Sequence, residues 1–263
     1  MKFSVITITF NSAKTLEETI KSVAAQNYAD MEYLIIDGGS TDGTLEIIRR
    51  YENVVTHWVS EPDQGISDAF NKGIRMATGD VICLINSDDC LAENALRTVA
   101  AQMDGKTDVF YGNAIYFGEN QKSFRVKPHE NIDQLRKYMC LVHPATFVRK
   151  RAYDKYGCFD LSYKCAMDRE LLLRMYVGGA CFQSCNADFA WVRMGGISIQ
   201  TYLHTTVPEE VAISVRYGLP PMQAKWMGRK LATRFRMARF IRRFPFAELI
   251  RKCFHAKTTE LDI

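Results

Sequence analysis

Two carboxylates stand side by side at Asp88 and Asp89, in the stretch "CLINSDDCLAEN" (83–94), directly after an apolar run. Adjacent ionised carboxylates at the mouth of a buried strand raise each other's pKa unless a cation relieves them. A divalent ion with oxygen ligands does so, and Mg²⁺ held by one or two carboxylates commonly carries a substrate's phosphates. The competing reading is an Asp-rich turn that caps a helix over 92–103. Asp37 closes another apolar run, "MEYLIID", and opens the glycine-rich "DGGSTDGT" (37–44). A nucleobase N–H or a ribose hydroxyl would satisfy a carboxylate placed there. Equally, the segment is a well-formed turn in which Ser40, Thr41 and Asp42 cap the next helix. In "SEPDQGISDAFNKGI" (60–74), Glu61 and Asp63 read singly as solvated loop residues, and Asp68 and Lys72 as an i, i+4 ion pair. Asp168, in "CAMDRELLLR" (165–174), begins a helix, as an N-cap or as a general base on a rigid support. His143 precedes a proline and a short strand, as a buried structural histidine or as a contact to an acceptor.

The elements that must position these residues are legible from periodicity. Short β-rich runs at 3–10, 31–37, 54–60 and 80–85 alternate with helical stretches at 13–27, 41–52 and 66–77. Strands alternating with helices at this spacing predict an α/β fold, a mostly parallel sheet flanked by helices. In such sheets ligands sit at the carboxyl ends of the strands, where Asn11, Asp37, Glu61 and the 86–89 group fall. Beyond residue 105 the pattern predicts a hairpin over 109–127, short helices at 131–139 and 150–156, and a helix over 168–179. One or two strands follow at 181–194, then helices at 205–217 and 222–243.

Hydrophobic residues make up 47% and charged residues 24%, which excludes a disordered or collagenous chain. The net charge of +4 is uneven: Lys225 to Lys257 holds eleven Lys/Arg and one acid, Glu248, so the rest is net acidic. The tail's Met227, Leu231, Phe235, Ala238 and Ile241 share one helical face, with Lys225, Arg229, Arg236 and Arg243 roughly opposite and Arg234 and Arg242 interrupting the apolar side. This is either a helix packed on the body or an interfacial helix on anionic lipid through 222–257. No nucleic-acid motif accompanies the charge, so nucleic acid is not expected as a partner. Eight cysteines without a CxxC pair argue against zinc. With no signal-like N-terminus and no apolar run of membrane-spanning length, reduced thiols in the cytoplasm are expected.

The motifs "VITITFN", "LIIDGGSTDGT", "SEPDQGISDAFNKGIRMATGDVICLINSDD", "HPATFVRKRAYDKYGCFD", "MDRELLLRM" and "RMGGIS" occur in order over about residues 1–200. Together they resemble the family 2 glycosyltransferases of the GT-A fold. The similarity is greatest to those that build bacterial surface polysaccharides such as colanic acid, O-antigen and capsule. The resemblance implies a Rossmann-like transferase domain over 1–200, its nucleotide-binding half about 1–105 and its acceptor half about 106–200, with a basic helical appendage over 201–263. It implies an inverting, metal-dependent transfer from a nucleotide sugar, UDP-linked by default, to a hydroxyl of a lipid-linked saccharide at the inner membrane face. Thr9, Phe10, Asn11 and Asp37 would line the nucleoside pocket, with Asp68 and Lys72 near the nucleotide or sugar. Asn86, Ser87 and Asp88 occupy the family's DxD positions, and Asp88 and Asp89 would hold Mn²⁺ or Mg²⁺. Asp168 matches the catalytic base and His143 a position near the acceptor. Two residues depart from the pattern. Asn86 replaces the first Asp of DxD, and Phe70 stands where many relatives carry an Arg, leaving the diphosphate's charge to Lys72 or the tail. The departure at Asn86 leaves room for a second reading, a non-catalytic nucleotide-sugar-binding partner of another transferase. A nucleotidyltransferase would show a basic, glycine-rich loop near the N-terminus, where this chain has "TFNSAKTLEE".

Overall fold

The computed structural model describes residues 1–118, 123–195 and 201–241. Strands β1 (Phe3–Thr9), β2 (Met31–Asp37), β3 (His57–Ser60) and β4 (Val81–Asn86) alternate with helices α1 (Leu16–Ala24), α2 (Thr44–Arg50) and α3 (Ile66–Met76). All pairings among these four strands are parallel, in the order β3-β2-β1-β4. β1, β2 and β4 are buried along almost their whole length because both their faces are covered, whereas the edge strand β3 is only partly buried. Side chains alternate between the two faces: Ile6, Leu34, Ile36 and Leu84 enter one core, while Val5, Tyr33, Ile35 and Cys83 enter the other.

The sheet continues beyond β4 through β8 (Thr146–Arg149), β6 (Val109–Phe117), β9 (Phe182–Arg193) and β5 (Cys90–Leu91), with β7 (Ser123–Val126) paired to β6. Here the pairings are antiparallel except β6 with β9, so the parallel character belongs to the first half. Helices α4 (Ala95–Gln102), α5 (Lys150–Tyr156), α6 (Met167–Val177), α7 (Val207–Arg216) and α8 (Pro221–Ile241) complete the described chain.

Boundaries differ from the sequence expectation for local reasons. The third strand begins at His57 rather than 54, because the N–H groups of Val54 and Val55 turn back to the Tyr51 carbonyl and close α2. Residues 131–139 shorten to a 3₁₀ turn, Ile132–Arg136, capped by the Asn131 side chain on the Asp133 N–H. The stripe Met227–Leu231–Phe235 lies partly buried, with Phe235 stacked on Tyr202 at 4.5 Å. Ala224 and Gly228 are buried, and a Cβ at Gly228 would meet Val211 of α7 at 2.5 Å. Thus α8 packs on the body as far as it is described. The rest of the basic tail, residues 242–263, lies outside the described residues, as do the "GIS" positions 196–198.

Gly73 presses α3 against β1: a Cβ there would overlap the Ile6 side chain. Gly73→Ala is expected to cost about 1–3 kcal/mol, the usual penalty of overpacking a tight contact, read as a lowered denaturant midpoint with an unchanged slope.

Candidate active site

The register of the parallel strands brings the acids to one edge. Thr9 lies beside Asp37, Asp37 beside Ser60, and Ile8 beside Asn86. Because β1 sits between β2 and β4, the carboxyl edge opens there into the crevice in which α/β sheets bind ligands.

Most carboxylates at this edge serve the backbone. Asp37 has no exposed surface. Its oxygens accept from the N–H groups of Gly39 (3.0 Å) and Ser40 (2.9 Å) and from the hydroxyls of Ser40 and Ser60. With four donors on its oxygens, the side chain expected to meet a nucleoside also braces the turn. Asp42 accepts from Thr44 and from the Ala13 N–H, and the Thr44 hydroxyl holds its carboxyl below the usual range. Asn11, left-handed at φ 49°, accepts from the Thr41 N–H and donates its own N–H to Ser40, tying the two loops together. Short polar side chains such as Asn tolerate that conformation.

Asp89 is likewise turned inward. It accepts from the Asn86 amide (2.9 Å) and from the Arg193 N–H (2.9 Å). Burial, then the neighbouring Asp88 charge, pushes its pKa up to about 7. Asp88 is half-buried, burial raises its pKa, and no other described residue donates to its carboxylate. Ser87 pairs its hydroxyl with Ser12 at 2.8 Å. Two further polar atoms at this edge are buried without a partner: Thr9 Oγ1 and Arg193 Nε. Arg193 reaches Glu18 and lies over the Phe117 ring, and its charge acts on both Asp88 and Asp89.

Lys72 is engaged. It pairs with Glu61 at 2.9 Å and with Asp68 at 3.7 Å, and it donates to the Pro62 carbonyl. It therefore holds the 61–65 loop onto α3. That loop presents Asp63, whose Oδ2 would lie 2.5 Å from a Cβ at Gly38, beside the 62% exposed ring of Phe10. Sequence reading set Asp63 aside as a solvated loop residue. The missing side chain at Gly38 was the available signal, since it leaves the space that the Asp63 carboxylate fills.

Asp168 stands in the first turn of α6, within a cavity of ≈ 290 Å³ that Tyr116, His129, Tyr202 and Glu210 also line. Its carboxylate accepts from the Arg169 N–H, and burial raises its pKa. His143 is packed between Phe70 (5.5 Å) and Phe159 (5.9 Å). Burial lowers its pKa against the pull of the Asp168 charge. Phe70 is thus a core residue in contact with His143, turned away from the solvent edge.

The start of α6 is held from α7. Glu209 accepts from the N–H groups of Lys164 (2.8 Å), Cys165 (2.9 Å) and Ala166 (2.8 Å), donors that would otherwise be orphaned. Arg169, with no exposed surface, donates to the Leu135 and Glu210 carbonyls and to the Ser214 hydroxyl, and pairs with the Glu210 carboxylate. Burial pushes Glu210 up to about 7. The sequence offered no signal for this clamp, because its halves are some 40 residues apart without a shared motif.

Residues 4–174 match the model of Glycosyl transferase family 2. The chain belongs to this family. A PGL/p-HBAD biosynthesis glycosyltransferase of Mycobacterium bovis is 32% identical over 182 residues, 66% of this chain and 69% of that protein. Among solved structures, S. aureus TarS superposes with a TM-score of 0.65 at 21% identity, over 89% of this chain but only 43% of TarS. The mannosyltransferase PcManGT of Pyrobaculum calidifontis, in complex with GDP-Man and Mn²⁺, superposes with a TM-score of 0.66 at 18% identity, over 98% and 81%. The fold is therefore GT-A: a curled sheet of nine strands flanked by helices. Among the described residues no helix is long and apolar enough to cross a membrane.

Arg169→Met is expected to cost about 3–5 kcal/mol, because it leaves Glu210 buried without its cation. Adding Glu210→Met should recover much of that loss in a denaturant titration.

Proposed function

We propose that this glycosyltransferase moves a sugar, with inversion, from a nucleotide-sugar donor to a hydroxyl of a lipid-linked saccharide during bacterial surface polysaccharide synthesis. The observation that carries the reading is Asp168: a partly exposed carboxylate whose basicity is raised by burial, fixed on a helix and lining a cavity large enough for part of a sugar. UDP is the default nucleotide, and a TarS structure with UDP-GlcNAc and the GDP-Man complex of PcManGT support a nucleoside-diphosphate donor.

Thr9, Phe10 and Asn11 at the end of β1 line the nucleoside site, where the unpartnered Thr9 hydroxyl awaits a ligand atom. Asp63, rather than Asp37, supplies the carboxylate facing the base beside Phe10. Lys72 and Asp68 hold Asp63's loop rather than meeting phosphate. Asp88 fits a divalent ion, because its carboxylate is half-buried and receives no donor from another described residue. Asp89 and Asn86 support it from behind. No cluster of three His, Cys, Asp or Glu is present among the described residues, which suits an ion carried largely by substrate phosphates. Mn²⁺ or Mg²⁺ at Asp88 would stabilise the negative charge that develops on the leaving diphosphate. Arg193, with its buried free Nε, supplies protein charge to the same oxygens.

Asp168 takes the proton from the acceptor hydroxyl as that oxygen attacks the anomeric carbon. The bond from that carbon to the phosphate oxygen breaks, and its electron pair leaves on the nucleoside diphosphate. Attack opposite the leaving group inverts the centre. His143, whose pKa burial lowers against the pull of the nearby Asp168 charge, stands close to the acceptor site. We further place the end of the transferase unit near Gly218 rather than at 200, because Glu209, Glu210 and Ser214 hold the helix that bears the base.

Asp168→Asn should lower kcat by about 10²–10⁴, the usual worth of a general base, while nucleotide-sugar binding persists. Because folding raises the Asp168 pKa, the stability linked to its protonation is lost as pH rises through the folded value. The variant should therefore melt higher than wild type above the folded pKa of Asp168, by a margin that shrinks as pH falls toward the ordinary carboxylate range. Unchanged turnover in Asp168→Asn would refute its role as base, and nucleotide-sugar binding without turnover in wild type would favour the non-catalytic reading.

Asp63→Ala should raise the donor KM about tenfold or more, the scale of one charge-assisted hydrogen bond, while Asp37→Asn should act chiefly on the melting temperature. Competition by free nucleosides separates the two.

A further inference from the structure

The cavity beside Asp168 adjoins another. Tyr138 and Leu231 line it and also line a second, larger cavity of ≈ 690 Å³ between the Ile132–Arg136 turn and α8. The second cavity has apolar walls from Met222, Trp226 and Met227, and its cations are Lys137, Lys230 and Arg234. No acid lines it among the described residues. Met222 is 83% exposed and Trp226 66% exposed, although α8 already packs on α7 through Ala224 and Gly228. The Lys230 ammonium lies 5.4 Å from the centre of the Trp226 ring, so charge and apolar surface meet at one place.

A saccharide is usually recognised by carboxylates as well as amides, and this groove offers the amides of Gln134 and Gln223 but no carboxylate among the described residues. Apolar walls with three cations and no acid match an anionic amphiphile: hydrocarbon on Trp226 and Met222, phosphate against Lys230 and Arg234. The shape favours one molecule over a bilayer. A flat lipid surface reaches the exposed Met222 and Trp226, but it does not reach the shared wall at Tyr138 and Leu231.

We propose that the groove binds the phosphate-bearing hydrocarbon arm of the acceptor, whose saccharide end then lies beside Asp168. This deepens the transfer reading above and rests on it. It gives the acceptor two contacts on one path, so that the lipid arm sets affinity and the cavity sets which hydroxyl is presented.

The test is calorimetric titration of the full chain with decyl phosphate below its micelle concentration, beside decyl glucoside, inorganic phosphate and phosphatidylglycerol vesicles. Saturable one-to-one binding of decyl phosphate is expected, at least tenfold tighter than either control compound. Lys230→Ala/Arg234→Ala and, separately, Trp226→Ala should each weaken it about tenfold, with nucleotide-sugar binding retained as the check on folding. Decyl phosphate binding no tighter than inorganic phosphate would overturn the proposal, as would binding indifferent to these substitutions. So would vesicle binding through the same residues without decyl phosphate binding, which would make this face a bilayer contact. Donor turnover is scored separately. Turnover with no decyl phosphate binding overturns the groove alone, whereas decyl phosphate binding with no turnover overturns the transfer reading and leaves the groove's ligand class supported.

Discussion

A guanidinium with no exposed surface must have its donors met inside the protein, and the acceptor half of this molecule is arranged around meeting those of Arg169. Its partners come from three places: the Leu135 carbonyl, the Glu210 carbonyl and carboxylate, and the Ser214 hydroxyl. None can move without leaving a charge or a polar atom stranded. The residue beside it in sequence is Asp168. The interaction that fixes three segments relative to one another therefore also fixes the candidate base, and Glu209 reinforces it by occupying the open N–H groups just ahead of α6. A buried pair of this kind adds little net stability over a well-packed apolar core. Its effect here is positional.

The donor edge solves a different problem. Parallel strands end together, and their loops leave backbone donors that must be satisfied without covering the crevice. Asp37, Asp42 and Asp89 do this, each accepting from turns or from a neighbouring strand. Their use as braces determines what remains to face a ligand: the Thr9 hydroxyl, the Asp88 carboxylate, the Asp63 carboxylate above Gly38, and the Arg193 guanidinium. The adjacent acids at 88 and 89 coexist because burial raises the pKa of both, that of Asp89 up to about 7, which relieves the repulsion between them.

The alternation of elements in the first hundred residues was legible because β1, β2 and β4 are covered on both faces, and period and length then suffice. The family was legible from ordered motifs. The division of labour among acids was not, because Asp37 and Asp63 differ only in where their oxygens point, and that depends on a glycine at 38 and a lysine–glutamate pair holding a loop. Likewise, the apolar stripe on the C-terminal helix was visible, but its packing against Tyr202 and α7 needed the third dimension. Sequence reading singled out neither Arg169 nor Glu210. Helical position alone does not report burial when the covering element lies 40 residues downstream.

The family match ends at residue 174, within α6, yet the surroundings of the base are completed by residues from 202 to 231. This separation has a physical consequence. A nucleoside diphosphate presents the same charges whatever sugar it carries, so strand-end braces and one exposed carboxylate can meet it from within the shared part of the fold. An acceptor presents hydroxyls whose arrangement differs from one glycan to the next. The wall that reads it must vary without disturbing the base. Placing such a wall on α8 and on the turn ahead of α7, outside the parallel sheet but beside the helix that Arg169 locks, would allow side chains such as Leu231 and Tyr202 to change while the candidate base stays where the buried pair puts it.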